Sequence, residues 1–229
     1  MEFPSSTVQI TQLLEMYASG ERDFSRLDFR EAWMPGLHLP GVRLCGADLA
    51  CANLQRTVLS EADLSGANLW RANLTGTNLW RANLQRTILI RAHLGGTNLA
   101  RSCLRESDLR LAELRGATLR GADLQRVNFS YADLSQADLS QADLRYADLT
   151  GTTLRQTNLT GACLEGATLD RAQIDRATLS SMSSFKERQS LGQQPFNQAL
   201  DNQALDNQAL ERESLENLFR KRSYSSLES

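Results

Sequence analysis

Large apolar residues recur at every fifth position along most of the chain. From Phe24 to Leu179 this slot holds Leu at 27 of 32 positions, and no insertion or deletion changes the phase. Two residues earlier stands a small residue, most often Ala, and the residue between them is often Asp or Asn, as in Ala47-Asp48-Leu49. Each repeat therefore reads small, polar, large, followed by two variable residues.

A period of five fits neither a single helix nor a straight strand. On an α-helix a step of five residues turns ~500°, so the leucines would scatter around the helix. On a strand the Ala and Leu of one repeat share a side, but the next Ala, three residues further on, points away. The conflict disappears if the chain turns a corner once per repeat. We therefore predict a very short strand and a turn in each repeat, with four near-90° turns closing a coil of about 20 residues.

The motif Ala-(Asp/Asn)-Leu-x-x resembles the pentapeptide repeat family over Arg22 to Ser181. The resemblance implies an all-β solenoid, a right-handed quadrilateral β-helix with the large and small residues inside and the other three outside. About eight coils, stacked at the ~4.8 Å spacing of neighbouring strands, would make a rod of roughly 38 Å. The stretch from Leu14 to Phe24 is similar to the N-terminal capping region of cyanobacterial members.

Three segments follow from these patterns. Residues 1–21 are predicted to hold an N-terminal capping α-helix, with Val8 to Ala18 helical, because the open end of a solenoid needs a cover. Residues 22–181 form the β-helix. Residues 182–229 form a low-complexity C-terminal tail, partly helical or disordered, in which Ala and Leu are adjacent rather than two apart. A candidate helix from Glu211 to Arg222 suggests dimerisation or capping as alternative roles for the tail.

The charge total hides two regions of opposite sign. The formal net charge is −2, which argues against both a bulk-basic nucleic-acid binder and a strongly acidic DNA mimic. Between Arg71 and Arg126, however, ten Arg face four acidic residues, which leaves +6. From Asn128 to Ser181 four Arg face seven acidic residues, which leaves −3. We expect a rod with a basic waist and an acidic end.

Aromatic and arginine side chains gather on two sides of the rod when the sequence is folded with four repeats per coil. Trp, Tyr and Arg dominate the energetics of protein interfaces, so these residues are the candidate partner-binding set. One face carries Trp70, Arg71, Ile90, Arg91, Arg110, Leu111 and Tyr131, and the opposite face carries Trp80, Arg81 and Arg101. The alternative is that these side chains only stack between coils and stabilise the rod.

No constellation for catalysis or metal binding emerges. His38 and His93 fall on different faces, and Cys103 and Cys163 lie three coils apart, roughly 14 Å. Cys45 and Cys51 lie on adjacent faces on either side of a corner. We expect no catalytic residue, no cofactor and no metal site.

Aspartates at the middle slot should stack in columns, as Asp28 with Asp48 and Asp123 with Asp143. Their repulsion must be offset by flanking Arg or by turn hydrogen bonds.

No apolar run reaches the ~18 residues of a membrane span, and residues 1–20 lack the basic and apolar regions of a secretory signal. We expect a cytoplasmic protein with reduced cysteines.

The sequence favours a non-enzymatic scaffold, with a regulatory role, that binds a protein partner through the Trp/Arg faces. Some cyanobacterial members of the family regulate cell differentiation, and the repeat style here is similar to theirs. The alternatives are a gyrase-interacting DNA mimic, known for acidic members, and anion or nucleic-acid binding along the Arg-rich waist.

Overall fold

The computed structural model describes residues 10–175 and residue 178, and within them each repeat pairs with the repeat four further along the chain. Parallel bridges join the middle-slot residues in this register, from Asp23 with Arg43 to Thr153 with Gln173. With one turn in every repeat, the register gives a coil of four sides. The predicted short strands shrink to one bridging residue per side, and the described part contains no longer strand.

Every corner is built as a tight turn. In the repeat at Leu44, the amide of Ala47 donates to the Leu44 carbonyl at 3.1 Å, and Gly46 takes a φ of 63°. This is the geometry of a type II turn, whose third residue needs a positive φ. The flanking amides join neighbouring coils. The Leu44 amide donates to the Asp63 carbonyl of the next coil at 2.7 Å, and the Asp48 amide donates to the Leu27 carbonyl of the preceding coil at 3.0 Å.

The interior is as the period predicts. The large residues from Phe24 to Ile174 and nearly all the small ones two positions before them are buried. Each fully buried Leu contributes ~1.5–3 kcal/mol, and repetition of this contact overrides the weak β propensity of Leu and Ala. Thr replaces Ala where its hydroxyl has an acceptor in the preceding coil: Thr77 donates to the Leu54 carbonyl and Thr97 to the Leu74 carbonyl, both at 2.7 Å.

The N-terminal end carries helix α1, Ile10–Ala18. Leu13 is buried in the same apolar cluster as the first coils, and the Tyr17 hydroxyl donates to the Pro40 carbonyl at 2.8 Å. The predicted helix is confirmed over these residues, whereas its predicted start at Val8 and the whole tail 182–229 lie outside the described residues. No helix within the described residues is long and apolar enough to cross a membrane.

Candidate protein-interaction surface

The candidate residues lie in two columns of turns rather than on the flat sides of the coil. Both outward positions of a turn follow the buried Leu directly, whereas the middle of each side is the bridging residue. We call residues 70–71, 90–91, 110–111 and 130–131 the first turn column. Residues 80–81, 100–101 and 120–121 are the second turn column. Two repeats separate the columns, which is half a coil, so they lie on opposite sides of the rod.

The first turn column is an exposed apolar strip. Trp70 is 39% exposed, Leu111 45% and Tyr131 57%, while Ile90 is half-buried. Since successive coils are about 4.8 Å apart, these four side chains follow one another up the rod.

Ile88 belongs to this strip, although the sequence pattern did not single it out. It is 42% exposed and lies two residues before Ile90, in the bridging slot between Asn68 and Asp108. Asp or Asn usually fills that slot, because the side-chain oxygen accepts the turn amide two residues later, as Asn68 does from the Trp70 amide. The signal in the sequence was therefore an Ile at a position where a hydrogen-bond acceptor is the rule.

The arginines of the first turn column differ in how they are paired. The Arg110 guanidinium donates to both carboxylate oxygens of Asp108, at 2.7 to 3.1 Å. Arg71 and Arg91 make no ion pair and no side-chain hydrogen bond with any residue of the described part. Arg71 instead lies over the ring of Trp70, 5.2 Å from its centroid. Two unpaired cations thus stand within the apolar strip, and Arg110 is held by its own repeat.

The second turn column is less open than the sequence suggested. Trp80 is half-buried, and the Arg81 guanidinium lies 4.9 Å from the centroid of its ring. Arg81 also approaches Glu61 of the preceding coil at 3.5 Å. Arg101 and Arg120 are exposed and have no acidic partner within residues 10–175. Both Trp residues contact the Arg that follows them in the same repeat. The alternative that these side chains stack is therefore met for Arg on Trp, but these contacts do not join one coil to another.

The aspartate columns form as predicted, and their repulsion is offset. The backbones of Asp28 and Asp48 form a β-bridge between successive coils, as do those of Asp123 and Asp143, so each pair of carboxylates is stacked. The Arg145 guanidinium binds both oxygens of Asp143 and thereby holds the pKa of that carboxyl below its usual range. Arg30 does the same for the pKa of Asp28. These carboxylates are occupied by turn amides and arginines, so they hold the corners in place.

The remaining polar groups do not converge. His93 contacts Glu113 of the next coil at 2.8 Å on the surface, and His38 is exposed on another side. The four cysteines are free thiols, of which Cys51 is exposed. Over the described residues no group of three or more His, Cys, Asp or Glu side chains is placed to hold a metal ion.

The comparison with protein families agrees with this geometry. The profile of pentapeptide repeats matches most of the β-helix in eight copies, over residues 23–60, 52–91, 92–130, 122–161 and 132–171. The chain belongs to the pentapeptide repeat family. Pentapeptide repeat proteins fold as right-handed quadrilateral β-helices, and the pairing of each repeat with the fourth one after it is that of this fold.

Several solved pentapeptide repeat proteins are similar to the chain. HetL, a pentapeptide repeat protein involved in heterocyst differentiation regulation in the cyanobacterium Nostoc sp. strain PCC 7120, is 34% identical; the match covers 73% of this chain and 94% of HetL, with a TM-score of 0.33. A pentapeptide repeat protein from the thylakoid lumen of Arabidopsis thaliana is 32% identical over 39% of this chain and 62% of its own, with a TM-score of 0.38.

QnrB1, a plasmid-mediated fluoroquinolone resistance protein, is 18% identical over 72% of this chain and 99% of its own, with a TM-score of 0.40. The comparison with curated proteins found no match. Membership of the family rests on the repeat itself.

Proposed function

We propose that the chain is a non-enzymatic scaffold that binds a protein partner through its two turn columns, chiefly the first. One observation carries the proposal: Trp70, Ile88, Leu111 and Tyr131 form an exposed apolar strip around arginines that have no acidic partner in the described part. Exposed aromatic residues with unpaired Arg are typical of interface centres, where truncation of such residues weakens binding most.

The backbone gives no reason for large side chains in this strip. Arg71, Arg91, Leu111 and Tyr131 stand at the third turn position with φ between 54° and 60°. Gly takes that conformation freely, and other residues are disfavoured by roughly 1–2 kcal/mol. A large side chain at this position therefore acts through its contacts. The side chains of Arg71 and Leu111 are exposed, and the Tyr131 ring packs against Gly151 of the next coil.

The arginines fit a protein ligand. A guanidinium forms two parallel hydrogen bonds with a carboxylate and also stacks on aromatic rings. The contact between Arg71 and Trp70 keeps the cation close to the apolar strip. A partner surface that combines a carboxylate with apolar side chains would complement both features.

A pull-down with the full chain tests the proposal. The variant Trp70→Ala/Arg71→Ala/Arg91→Ala should lose its partner protein while its circular dichroism and melting temperature stay close to those of the unmodified chain. The matched control, Tyr146→Ala/Arg126→Ala/Arg86→Ala, also removes one aromatic residue and two arginines, but from a different turn column, and should keep the partner. Retention of the partner by the first variant would reject this surface.

The proposal extends to the ends of the rod. The buried Leu13 and the hydrogen bond from Tyr17 to Pro40 support a capping role for α1 within residues 1–21. We further propose that the β-helix comprises about eight coils and that tail residues 182–229 serve dimerisation or capping.

The cytoplasm is the proposed compartment, in keeping with four free thiols, and regulation is the proposed role. The DNA-mimic alternative is disfavoured by the +6 balance between residues 71 and 126, because a mimic of DNA presents negative charge there.

A further inference from the structure

One side of the rod is nearly free of acidic groups. We call it the arginine side; it spans residues 55–61, 75–81, 95–101 and 115–121, which are four consecutive coils in the register of the bridges. It contains five arginines and one acidic residue, Glu61, which leaves +4. The arginines are Arg56, Arg81, Arg101, Arg115 and Arg120.

The middle of the arginine side is polar in three of its four coils. The bridging residues are Val58, Asn78, Asn98 and Thr118, and the Asn98 side-chain amide donates to the Asn78 side-chain oxygen at 3.2 Å. Along one border, a Cβ added at Gly96 or Gly116 would meet no atom within 4 Å, so there is open space at these two turns.

Three of the five arginines have no side-chain partner among the described residues. The other two do: the Arg81 guanidinium lies 3.5 Å from the Glu61 carboxylate, and the Arg115 guanidinium donates to the side-chain oxygen of Gln136 at 3.4 Å. Arg56, Arg101 and Arg120 are exposed and make no ion pair or side-chain hydrogen bond with the described residues. These guanidiniums keep their capacity for an external anion.

The spacing of the arginines along the rod axis indicates whether the ligand is a helix or an extended strand. Arg81 and Arg101 occupy the same turn position in successive coils, about 4.8 Å apart along the rod, and Arg120 stands in the coil after them. Carboxylates on one face of an α-helix recur every ~5.4 Å, whereas those on one face of a strand recur at roughly 6.6 Å. We propose that the arginine side binds an acidic α-helix of a partner protein, laid along the rod with one carboxylate per turn facing the arginines.

The arrangement favours a short acidic helix over a nucleic acid. Four coils span only about 14 Å of rod. The next coil on this side brings Asp138, and the segment from residue 128 to 181 is net negative. A longer polyanion that runs in this direction would reach Asp138 and be repelled, whereas a helix of about three turns ends before it.

This inference rests on the proposed scaffold function and names the ligand class for the side of the rod that includes the second turn column. It uses none of the residues of the first turn column. A loss of partner binding in the Trp70 variant and a loss of acidic-helix binding here are therefore separate results.

A direct binding experiment tests the inference on the full chain. The probe is a blocked, alanine-based helical peptide with four glutamates on one face, measured by fluorescence anisotropy at low salt. Arg101→Gln/Arg120→Gln should weaken its binding about tenfold, as expected for two exposed charge pairs. Arg86→Gln/Arg126→Gln removes the same charge from a turn column outside both proposed surfaces and should leave the affinity within a factor of two. Equal losses in the two variants, or no binding to the unmodified chain, would overturn the inference.

Two further arms decide the class of ligand. A peptide of the same composition with its glutamates distributed around the helix should bind at least several-fold more weakly. A single-stranded oligonucleotide of equal charge should bind no better than this redistributed peptide, and tighter binding than the helical probe would assign the surface to nucleic acid instead. In NMR spectra of the unmodified chain, the helical peptide should shift the side-chain amides of Asn78 and Asn98, and not those of Asn53 and Asn73. Shifts at the second pair alone would contradict the placement.

Discussion

The ring of Tyr131 lies against Gly151 of the next coil. A Cβ added at Gly151 would stand 2.6 Å from the Cδ1 and Cε1 atoms of that ring. The same relationship recurs between Tyr146 and Gly166. A tyrosine at the third turn position thus needs a glycine at the same turn position of the next coil. Its ring packs against that glycine and stays exposed to solvent.

Gly151→Ala should destabilise the protein more than Gly116→Ala. Both glycines have nearly the same φ, 66° and 67°, so both variants suffer the ~1 kcal/mol penalty of Ala in this conformation. Only Gly151→Ala must also move the Tyr131 ring. The free energies of unfolding in denaturant give the comparison, and Tyr131→Ala in the Gly151→Ala background should remove the excess. Equal destabilisation of the two single variants would contradict this contact.

Inward and outward leucines should respond very differently to truncation. Leu94 is fully buried, and Leu94→Ala should lower the free energy of unfolding by about 2–5 kcal/mol through lost contacts and a cavity. Leu111 lies 45% exposed in the first turn column, and Leu111→Ala should change stability by less than ~0.5 kcal/mol. A large loss for Leu111→Ala would mean that the apolar strip stabilises the rod instead of serving a partner.

The pair Asp143–Arg145 should show itself in a titration. Hydrogen bonds from Arg145 hold the pKa of Asp143 below its usual value. Because the folded-state pKa is depressed, this interaction stabilises the fold above the unfolded-state pKa of ~3.9 and is lost as the pH falls through the folded-state value. Arg145→Gln should raise the pKa of Asp143 towards its ordinary value, as read from carboxyl carbon shifts in NMR. Arg155→Gln is the control. Arg155 stands two residues after Thr153, as Arg145 stands two residues after Asp143, so its replacement should leave the pKa of Asp143 unchanged.

The fold could be predicted from the sequence because the repeat overdetermines it. A period of five without a break excludes a straight helix or strand, and it fixes which side chains point inward. Pairing of each repeat with the fourth one after it then follows from four turns per coil, as the bridge from Asp123 to Asp143 confirms. The predicted start of the N-terminal helix at Val8 stays a prediction, since residues 1–9 lie outside the described part.

The placement of the candidate residues in columns could be predicted from the sequence, whereas their exposure could not. Folding with four repeats per coil grouped Trp70, Arg91 and Tyr131 correctly, but exposure depends on local packing, so Trp80 and Ile90 proved half-buried. Two simple rules would have sharpened the prediction. Where Asp stands two positions earlier, Arg directly after the large residue binds it, which removes Arg110 from the free cations. Two arginines at the third turn position pair with an acid one coil away, Arg81 with Glu61 and Arg86 with Glu106.

The most direct test of the central claim places a photo-crosslinking amino acid at Leu111, at the centre of the first turn column, in the full chain. The control position is Gln156, which is exposed at the same turn position in a different column and has a φ of 58° against 60°. The account predicts a crosslinked partner protein from position 111 that disappears when Arg71→Ala and Arg91→Ala are added, and no such product from position 156. Equal crosslinking from both positions, or a product from position 111 that persists without the two arginines, would contradict it.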